Sequence, residues 1–250
     1  HNFMAEAQPT NNVWLTGNLN AGLNPENEVW SSVNPLTISA DGIEELADEE
    51  SEINSLNQTT SPFQSGDIIH ISGTDRAGNE ITSSFIFGDD FDGTTLAGLM
   101  SKINGAFGNE SEVQLLEGKI LLSDNETGDS ETTINVFSDE QNTGKINIPG
   151  FANITAGYTP IVTTSMVVYD ALGKAHELTV QYEKTINPGE WKVMIDSNGS
   201  GTVVNGGTGT LTFDANGSFL NFEYGDSSTE FVLDPGNGTP LLNIKFNMNI

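Results

Sequence analysis

Short apolar runs alternate with polar turns along most of the chain, and a new run begins about every eight to twelve residues. Glycine, asparagine, aspartate or proline separates the runs. Runs of this length are typical of strands, and this spacing of turns is typical of sandwiches and barrels. The pattern therefore predicts a mainly β fold with a sandwich-like or barrel-like domain.

Three of the turns share the pattern Asp-x-x-Gly between two apolar runs, at Asp75–Gly78, Asp170–Gly173 and Asp214–Gly217. An aspartate in the first position can accept a hydrogen bond from the backbone two residues on, and a glycine in the fourth takes a positive φ. We therefore predict a hairpin tip at each of them, and a tighter two-residue tip at Glu117–Gly118.

One segment has the period of a helix instead of a strand. Thr95 is a suitable N-cap, and the apolar residues that follow recur at helical spacing. The segment predicts one amphipathic helix of about three turns that covers the open face of a small sheet. Its apolar positions are Leu96, Leu99, Met100, Ile103 and Phe107.

The acidic stretch from Asp41 to Glu52 shows no strand pattern, and we interpret it as a solvated junction with at most one or two helical turns. Small, turn-rich sequence returns after Gly150. The chain is therefore predicted to contain a discontinuous β outer domain, residues 1–44 and 156–250, and an inserted α+β domain, residues 45–155. Insertion explains this order because both ends of the inserted piece meet at one junction.

The composition excludes several classes of partner and site. The chain has 35 acidic and 8 basic residues, and its net charge of −27 repels nucleic acid and anionic membrane surfaces. It has no cysteine, which excludes disulfides, thiolate catalysis and cysteine-ligated metals. No membrane span or cleaved signal peptide is expected, and the start at His1 indicates an excised piece.

Tyr169, Asp170 and His176 lie close together in the sequence and resemble parts of an active site. Counting by twos places His176 on the same face as Leu178 and Val180, so we predict that it closes the end of the core with a hydrogen bond to the turn. No Gly-x-Ser-x-Gly elbow or phosphate-binding loop occurs. We predict no enzyme and no cofactor, although a glycosidase carboxylate pair stays open because acids are so numerous.

Two acidic stretches have some features of a calcium loop. Asp90–Gly93 resembles the middle of such a loop, but Leu99 stands where a bidentate acid is required. Residues 124–131 have acids at loop spacing without that pattern. We interpret both as solvated turns and predict no metal site, with a weak calcium site left open.

The stretch VVYDALGKAHELTVQYEKT, Val167 to Thr185, resembles the signature of the bacterial flagellar hook protein family. Trp191, the hairpin at Asp214–Gly217 and the segment Gly17–Ala21 are similar to further landmarks of that family. Ala171 and Lys174 depart from the usual Ser and Asn. The matching positions of the signature are Tyr169, Asp170, Leu172, Gly173, His176, Leu178, Thr179, Val180, Lys184 and Thr185.

The resemblance implies a structural subunit, in its outer-domain portion, of the flagellar hook, the curved tube that passes motor torque to the filament as a universal joint. Residues 45–155 resemble the extra domain of longer family members, and the terminal heptad segments of the family are missing. The structural motif residues implied are Tyr169, Asp170, Gly173, His176, Trp191, Asp214 and Gly217.

The resemblance also implies partners and a location. The expected partners are other copies of the hook subunit and, indirectly, the rod and the hook–filament junction proteins, while the isolated fragment is expected to be a monomer. The expected location is the hook, outside the cytoplasm, after export without a cleaved signal peptide.

A secreted β-sandwich adhesin or glycan-binding module is the alternative. Such a module needs aromatic ring faces free to stack on sugars, whereas the hook hypothesis expects Trp14, Trp30 and Trp191 to be mostly packed.

Overall fold

The computed structural model describes residues 7–17, 19–20 and 22–248, and within them the chain forms twenty strands, one α-helix and one short 3₁₀ helix. His1, and Asn18 and Ala21 of the predicted entry segment, lie outside the described residues. In chain order the strands are β1 (Asn12–Leu15), β2 (Asn27–Ser32), β3 (Thr37–Ala40), β4 (Ile43–Leu46), β5 (Thr59–Ser61), β6 (Ile68–Thr74), β7 (Glu80–Ile86), β8 (Ser111–Leu116), β9 (Lys119–Thr127), β10 (Thr133–Ser138), β11 (Lys145–Ile146), β12 (Phe151–Thr155), β13 (Ile161–Tyr169), β14 (Ala175–Lys184), β15 (Glu190–Asp196), β16 (Thr202–Asn205), β17 (Thr208–Phe213), β18 (Phe219–Tyr224), β19 (Phe231–Asp234) and β20 (Leu242–Met248). The helix α1 (Leu96–Phe107) follows β7, and the 3₁₀ helix (Ile53–Ser55) follows β4.

The contacts divide the chain into two units. The outer unit contains the described residues up to Pro25 and those from Thr159 onward, and the inserted unit contains residues 26–158. The division therefore falls after Pro25 and not at 44/45, because β2 is hydrogen-bonded between β9 and β12 of the inserted unit.

The outer unit is a β-sandwich. Its five-stranded antiparallel sheet has the order β13-β14-β15-β17-β18, and its four-stranded sheet has the order β1-β20-β19-β16, with β1 parallel to β20. Alternate residues of both sheets point inward and form one core, since the pleat sends successive side chains to opposite faces. The buried core residues include Leu178, Val180, Trp191, Val193, Leu211, Phe231, Leu233 and Ile244.

The inserted unit combines four small sheets with one helix. The sheets have the orders β12-β2-β9-β8, β10-β6-β7, β11-β5 and β3-β4. Helix α1 packs on β7 and β8 with its apolar face inward, and all five predicted apolar positions are buried. The prediction of a mainly β chain with one amphipathic helix is confirmed. Thr95 occupies the N-cap position, but its side chain makes no capping hydrogen bond.

The acidic stretch after Asp41 is largely exposed to solvent, as the sequence predicted, but it is not an irregular junction or a helical turn. It forms the strand β4, which pairs with β3 from Thr37↔Leu46 to Ala40↔Ile43. All four residues of β4 are exposed, so no alternation of apolar and polar residues marks the strand. The stretch then returns to the core, where Ala47 and Ile53 are buried.

The predicted hairpin tips are confirmed. The glycines Gly78, Gly173 and Gly217 have φ values of 82°, 78° and 82°. In each turn, the aspartate Oδ1 accepts from the backbone N–H two residues on, at 2.8–2.9 Å. Glu117 and Gly118 have φ values of 50° and 72°, as a tight two-residue tip requires.

Candidate functional site

The hairpin β13–β14 places the signature residues at one end of the outer sandwich. Its two strands pair over their full length, from Ile161↔Glu183 to Tyr169↔Ala175. The turn closes through a bond from Asp170 N to Lys174 O at 3.0 Å and one from Gly173 N to Asp170 O at 2.9 Å. These local bonds hold the carboxylate of Asp170 beneath the turn.

Asp170 is fully buried, and its carboxylate accepts four hydrogen bonds. Oδ1 accepts from the backbone N–H of Leu172 at 2.8 Å and of Lys174 at 2.9 Å. Oδ2 accepts from Asn237 Nδ2 at 2.6 Å and from His176 Nε2 at 3.1 Å. Burial by itself raises the pKa of Asp170, but the bonds from His176, Asn237 and the backbone outweigh it and hold the pKa well below its usual range.

His176 is also fully buried, and both of its ring nitrogens face acceptors. Nε2 faces the Asp170 carboxylate, and Nδ1 lies 2.6 Å from the carbonyl oxygen of Ser200. A carbonyl and a carboxylate can only accept, so both bonds are made when both nitrogens carry a proton. His176 thereby cross-links the hairpin tip to the turn before β16. A ring held in this way has no free nitrogen with which to take a proton from a substrate.

Tyr169 and Gly173 serve the same hairpin in other ways. Tyr169 lies on the opposite face of β13 from Val168, and its side chain is 48% exposed. Its backbone exchanges two bonds with Thr10, which fastens the N-terminal segment to the end of the strand. Gly173 has open space around it apart from Ala7, so its positive φ is what requires glycine.

Trp191, Asp214 and Gly217 lie elsewhere in the sandwich. Trp191 is in β15 between Lys184 and Leu211 and is 1% exposed. Asp214 Oδ1 accepts from Asn216 N and Ser218 N, both at 2.8 Å, within its own turn. The structure therefore brings Asp170 and His176 together in the hairpin that also contains Tyr169 and Gly173, and it places Trp191 and the Asp214–Gly217 turn elsewhere in the sandwich.

Lys184 is the next-to-last residue of the signature, and no role was predicted for it. Its side chain is buried, and Nζ donates to the carbonyls of Thr185 and Asn187, both at 2.7 Å. Burial lowers the pKa of Lys184, and the charge of Glu190 acts in the opposite direction. Lys184 therefore closes the loop after β14, at the opposite end of the strand from His176.

Ser200 and Asn237 were missed by sequence reasoning. Both lie in turns far along the chain from the hairpin, and each resembles many other small polar residues in this sequence. Ser200 contributes only its backbone carbonyl, which any residue would supply. No signal in a single sequence could have found them.

In each of the two stretches that resemble calcium loops, one acid is bound to protein groups. Asp92 accepts from Ile86 N at 2.8 Å and pairs with Lys102 Nζ at 3.0 Å. Asp124 is buried, which contradicts the predicted solvated turn, and Arg76 Nη1 lies 3.7 Å from its Oδ2. Within the described residues, no three His, Asp or Glu side chains are grouped as a metal site would need.

The expectation that all three tryptophans are packed is wrong for Trp14, which is 66% exposed. Trp191 is buried and Trp30 is half-buried. Trp14 precedes the inward-facing Leu15 in β1, a four-residue edge strand, so its side chain points away from the core.

The fold and the site define a class of protein: a β-sandwich module carrying an inserted unit, with its histidine and aspartate used as internal cross-links. Residues 142–249 match the family model described as the flagellar basal body protein FlaE D2 domain. The predicted resemblance to the flagellar hook proteins is confirmed by this match.

Other comparisons add less. The crystal structure of the Helicobacter pylori flagellar hook protein FlgE2 is 14% identical, with 90% of this chain and 55% of that one covered and a TM-score of 0.28. This chain thus spans about half the length of that protein, and likeness at this level carries no argument about the fold. No curated protein matches the chain. None of the described helices is long and apolar enough to cross a membrane.

Proposed function

We propose that this chain is the outer portion of a bacterial flagellar hook subunit, a structural and non-enzymatic module of the curved tube that transmits motor torque to the filament. The observation that carries the proposal is the match of residues 142–249 to the FlaE D2 domain. In this proposal the outer and inserted units are two domains of one subunit. The chain resides at the hook, outside the cytoplasm, after export without a cleaved signal peptide.

The outer unit contains buried cross-links that would keep it rigid under torque. A subunit that slides past its neighbours under torque must keep its own shape, and buried cross-links between turns resist distortion. His176 joins the hairpin tip to the turn before β16 through Asp170 and Ser200, and Lys184 fixes the loop at the other end of β14. The partners proposed are other copies of the subunit and, through the polymer, the rod and the hook–filament junction proteins.

Immunoelectron microscopy tests the location. Antibodies raised against this chain should decorate the hook of intact cells, and a strain without the gene provides the control. Decoration of the filament or the cell surface, with bare hooks, would contradict the proposal.

Deletion tests the role. Cells whose full-length gene lacks the region encoding this chain should lose their hooks or make straight ones, as seen by electron microscopy of purified basal bodies. Curved hooks of normal length in such cells would reject a structural role for this region.

A glycan-binding module is the second candidate, and the exposed ring of Trp14 is the observation that favours it. Titration with a panel of oligosaccharides, followed by tryptophan fluorescence, tests it. Saturable quenching that is lost in Trp14→Ala would favour this candidate, and the hook proposal expects no change.

A further inference from the structure

The strand β13 forms an open edge of the outer sandwich. The bonds Asp170 N to Lys174 O and Lys184 N to Pro160 O show that the even-numbered residues of β13 bond to β14. The odd-numbered residues therefore direct their N–H and C=O groups to the other side. On that side the backbone groups of Tyr169 bond to Thr10. No described strand pairs with the other odd-numbered residues of β13. The open groups belong to Ile161, Thr163, Ser165 and Val167.

This edge lacks the usual protection against strand pairing. Edge strands of soluble proteins are commonly short, or carry charged residues or proline, which discourage pairing with other chains. β13 is nine residues long, contains no charged residue or proline, and is rich in Val, Ile and Thr. On the opposite edge of the same sheet, the shorter β18 carries Glu223.

A groove of about 330 Å³ runs beside the open edge. One wall is the inward face of β13, where Val162 and Met166 are not fully covered by the core. The other wall is the segment around β1, including the exposed Trp14. An added strand would gain backbone bonds along β13 and apolar contact in this groove.

The charge of the chain indicates which partner fits this surface. Two copies that each carry −27 repel each other, so they can approach closely only where charges are sparse. The two longest stretches without a charged residue are 7–25 and 146–169, and these stretches supply both walls of the groove. A cationic partner would gain nothing from such a surface, whereas a second copy of this chain requires it.

We infer that the β13 edge docks against a second copy of this chain, edge to edge, with the groove covered by the side chains of the added strand. Pairing of a single strand buries much less than the roughly 1,200–2,000 Å² of a stable interface, so the contact is weak between free chains. In a polymer, neighbouring copies are held close together, so each copy meets the next at a high effective concentration and a weak contact can form. The inference rests on the proposed function for the presence of neighbouring copies in the cell.

Single-cysteine cross-linking tests the edge, since the chain has no cysteine of its own. Thr163→Cys, Thr164→Cys and Ser165→Cys would each be oxidised at high protein concentration, with Asn221→Cys on the edge strand β18 as the control. We expect at least one β13 position to form disulfide-linked dimers about tenfold faster than the control, because it is held opposite its own copy. Equal rates at all four positions would overturn the inference.

A charge placed on the edge provides a second test. Thr163→Glu in the faster of Thr164→Cys and Ser165→Cys should lower the cross-linking rate about tenfold, because like charges then face each other across the pair. Thr208→Glu is the matched control, since Thr208 is exposed in the same row of the sheet through Gln181 and Met194 but lies on an inner strand. It should leave the rate within about twofold, as expected for a residue outside the contact.

The two variants separate the outcomes. Loss of cross-linking in both glutamate variants would overturn the edge assignment and leave a contact elsewhere on the sheet face. These measurements use the isolated chain, so a negative result would leave the antibody and deletion tests of the proposed function unaffected.

Discussion

His176 has the residue type of a catalytic base and the environment of a structural cross-link. Its two nitrogens lie within hydrogen-bonding distance of acceptors from two different turns, and the ring is fully buried. Catalytic histidines need a nitrogen within reach of substrate. The decisive difference between the two roles is therefore the partner of each nitrogen and not the presence of an aspartate beside the ring.

Replacing Asp170 should change how stability depends on pH. The carboxylate has a pKa below its usual value, so its stabilising contribution is complete above about pH 4 and is lost as the pH falls further. Asp170→Asn should be less stable than the parent at pH 7, and the difference should shrink at pH 3. Urea unfolding at both pH values measures this.

Asp214→Asn is the control for that experiment. Asp214 makes the same turn bonds but has no histidine partner, and it is partly exposed. It should lose less stability at pH 7 than Asp170→Asn. Equal losses would show that the turn bonds alone account for the effect and that the bond to His176 adds nothing.

Gly173 and Gly105 form a pair in which the same substitution should have opposite effects. Gly173→Ala should lower the free energy of unfolding by about 1 kcal/mol, because an alanine at φ 78° is strained. Gly105→Ala should raise it by up to about 1 kcal/mol, because Gly105 is in helix α1 with open space around it. Chemical denaturation measures both, and a stabilising Gly173→Ala would contradict the turn assignment.

At the scale of elements, the sequence predicted the turns and the helix that depend on residues close together in the chain. The three Asp-x-x-Gly tips and helix α1 were predictable because the residues that form them lie within a few positions of one another. Strand β4 was missed because all its side chains face water. Asn237 was missed because its partner Asp170 lies 67 positions away.

Arg76 shows how one such distant contact fixes an element. It lies at the β6–β7 tip, and its guanidinium donates to the carbonyls of Glu126 and Thr127, both at 2.6 Å, beside the buried carboxylate of Asp124. The tip of one sheet is thereby attached to the end of β9 in another. From the sequence, residues 124–131 were interpreted as a solvated acidic turn. The pairing of Asp124 with Arg76, 48 positions earlier in the chain, could not be predicted from the local pattern.

Removing Arg76 should destabilise the inserted unit. Arg76→Ala leaves the Asp124 carboxylate buried without its cation, and we expect a loss of about 2–3 kcal/mol in the free energy of unfolding. Arg76→Lys should recover part of it, since a lysine keeps the charge but not the paired donors. Lys119→Ala, at the start of β9, is the control and should change stability by less than about 0.5 kcal/mol. An effect of Arg76→Ala no larger than this control would contradict the assignment.

At the scale of the whole molecule, the inserted unit should fold by itself. Its first and last residues are bonded to each other, from Glu26 N to Tyr158 O at 2.8 Å and from Tyr158 N to Glu26 O at 2.9 Å. Its core is built from its own residues. Residues 26–158 expressed alone should unfold cooperatively and show the circular dichroism of a β-rich domain with one helix. A disordered fragment would show that this unit depends on the rest of the chain.

The net charge predicts how salt acts on contacts between copies. Each copy carries −27, and raising the ionic strength from about 10 mM to about 0.5 M shortens the screening length from about 30 Å to below 10 Å. At micromolar concentration and low salt the chain should sediment as a monomer. Salt should then accelerate cross-linking of Ser165→Cys more than that of Asn221→Cys, because only the β13 edge gains a specific contact when repulsion is screened. A rate ratio that falls with salt would mean that opposite charges hold the copies together, and the uncharged edge would then not be the contact.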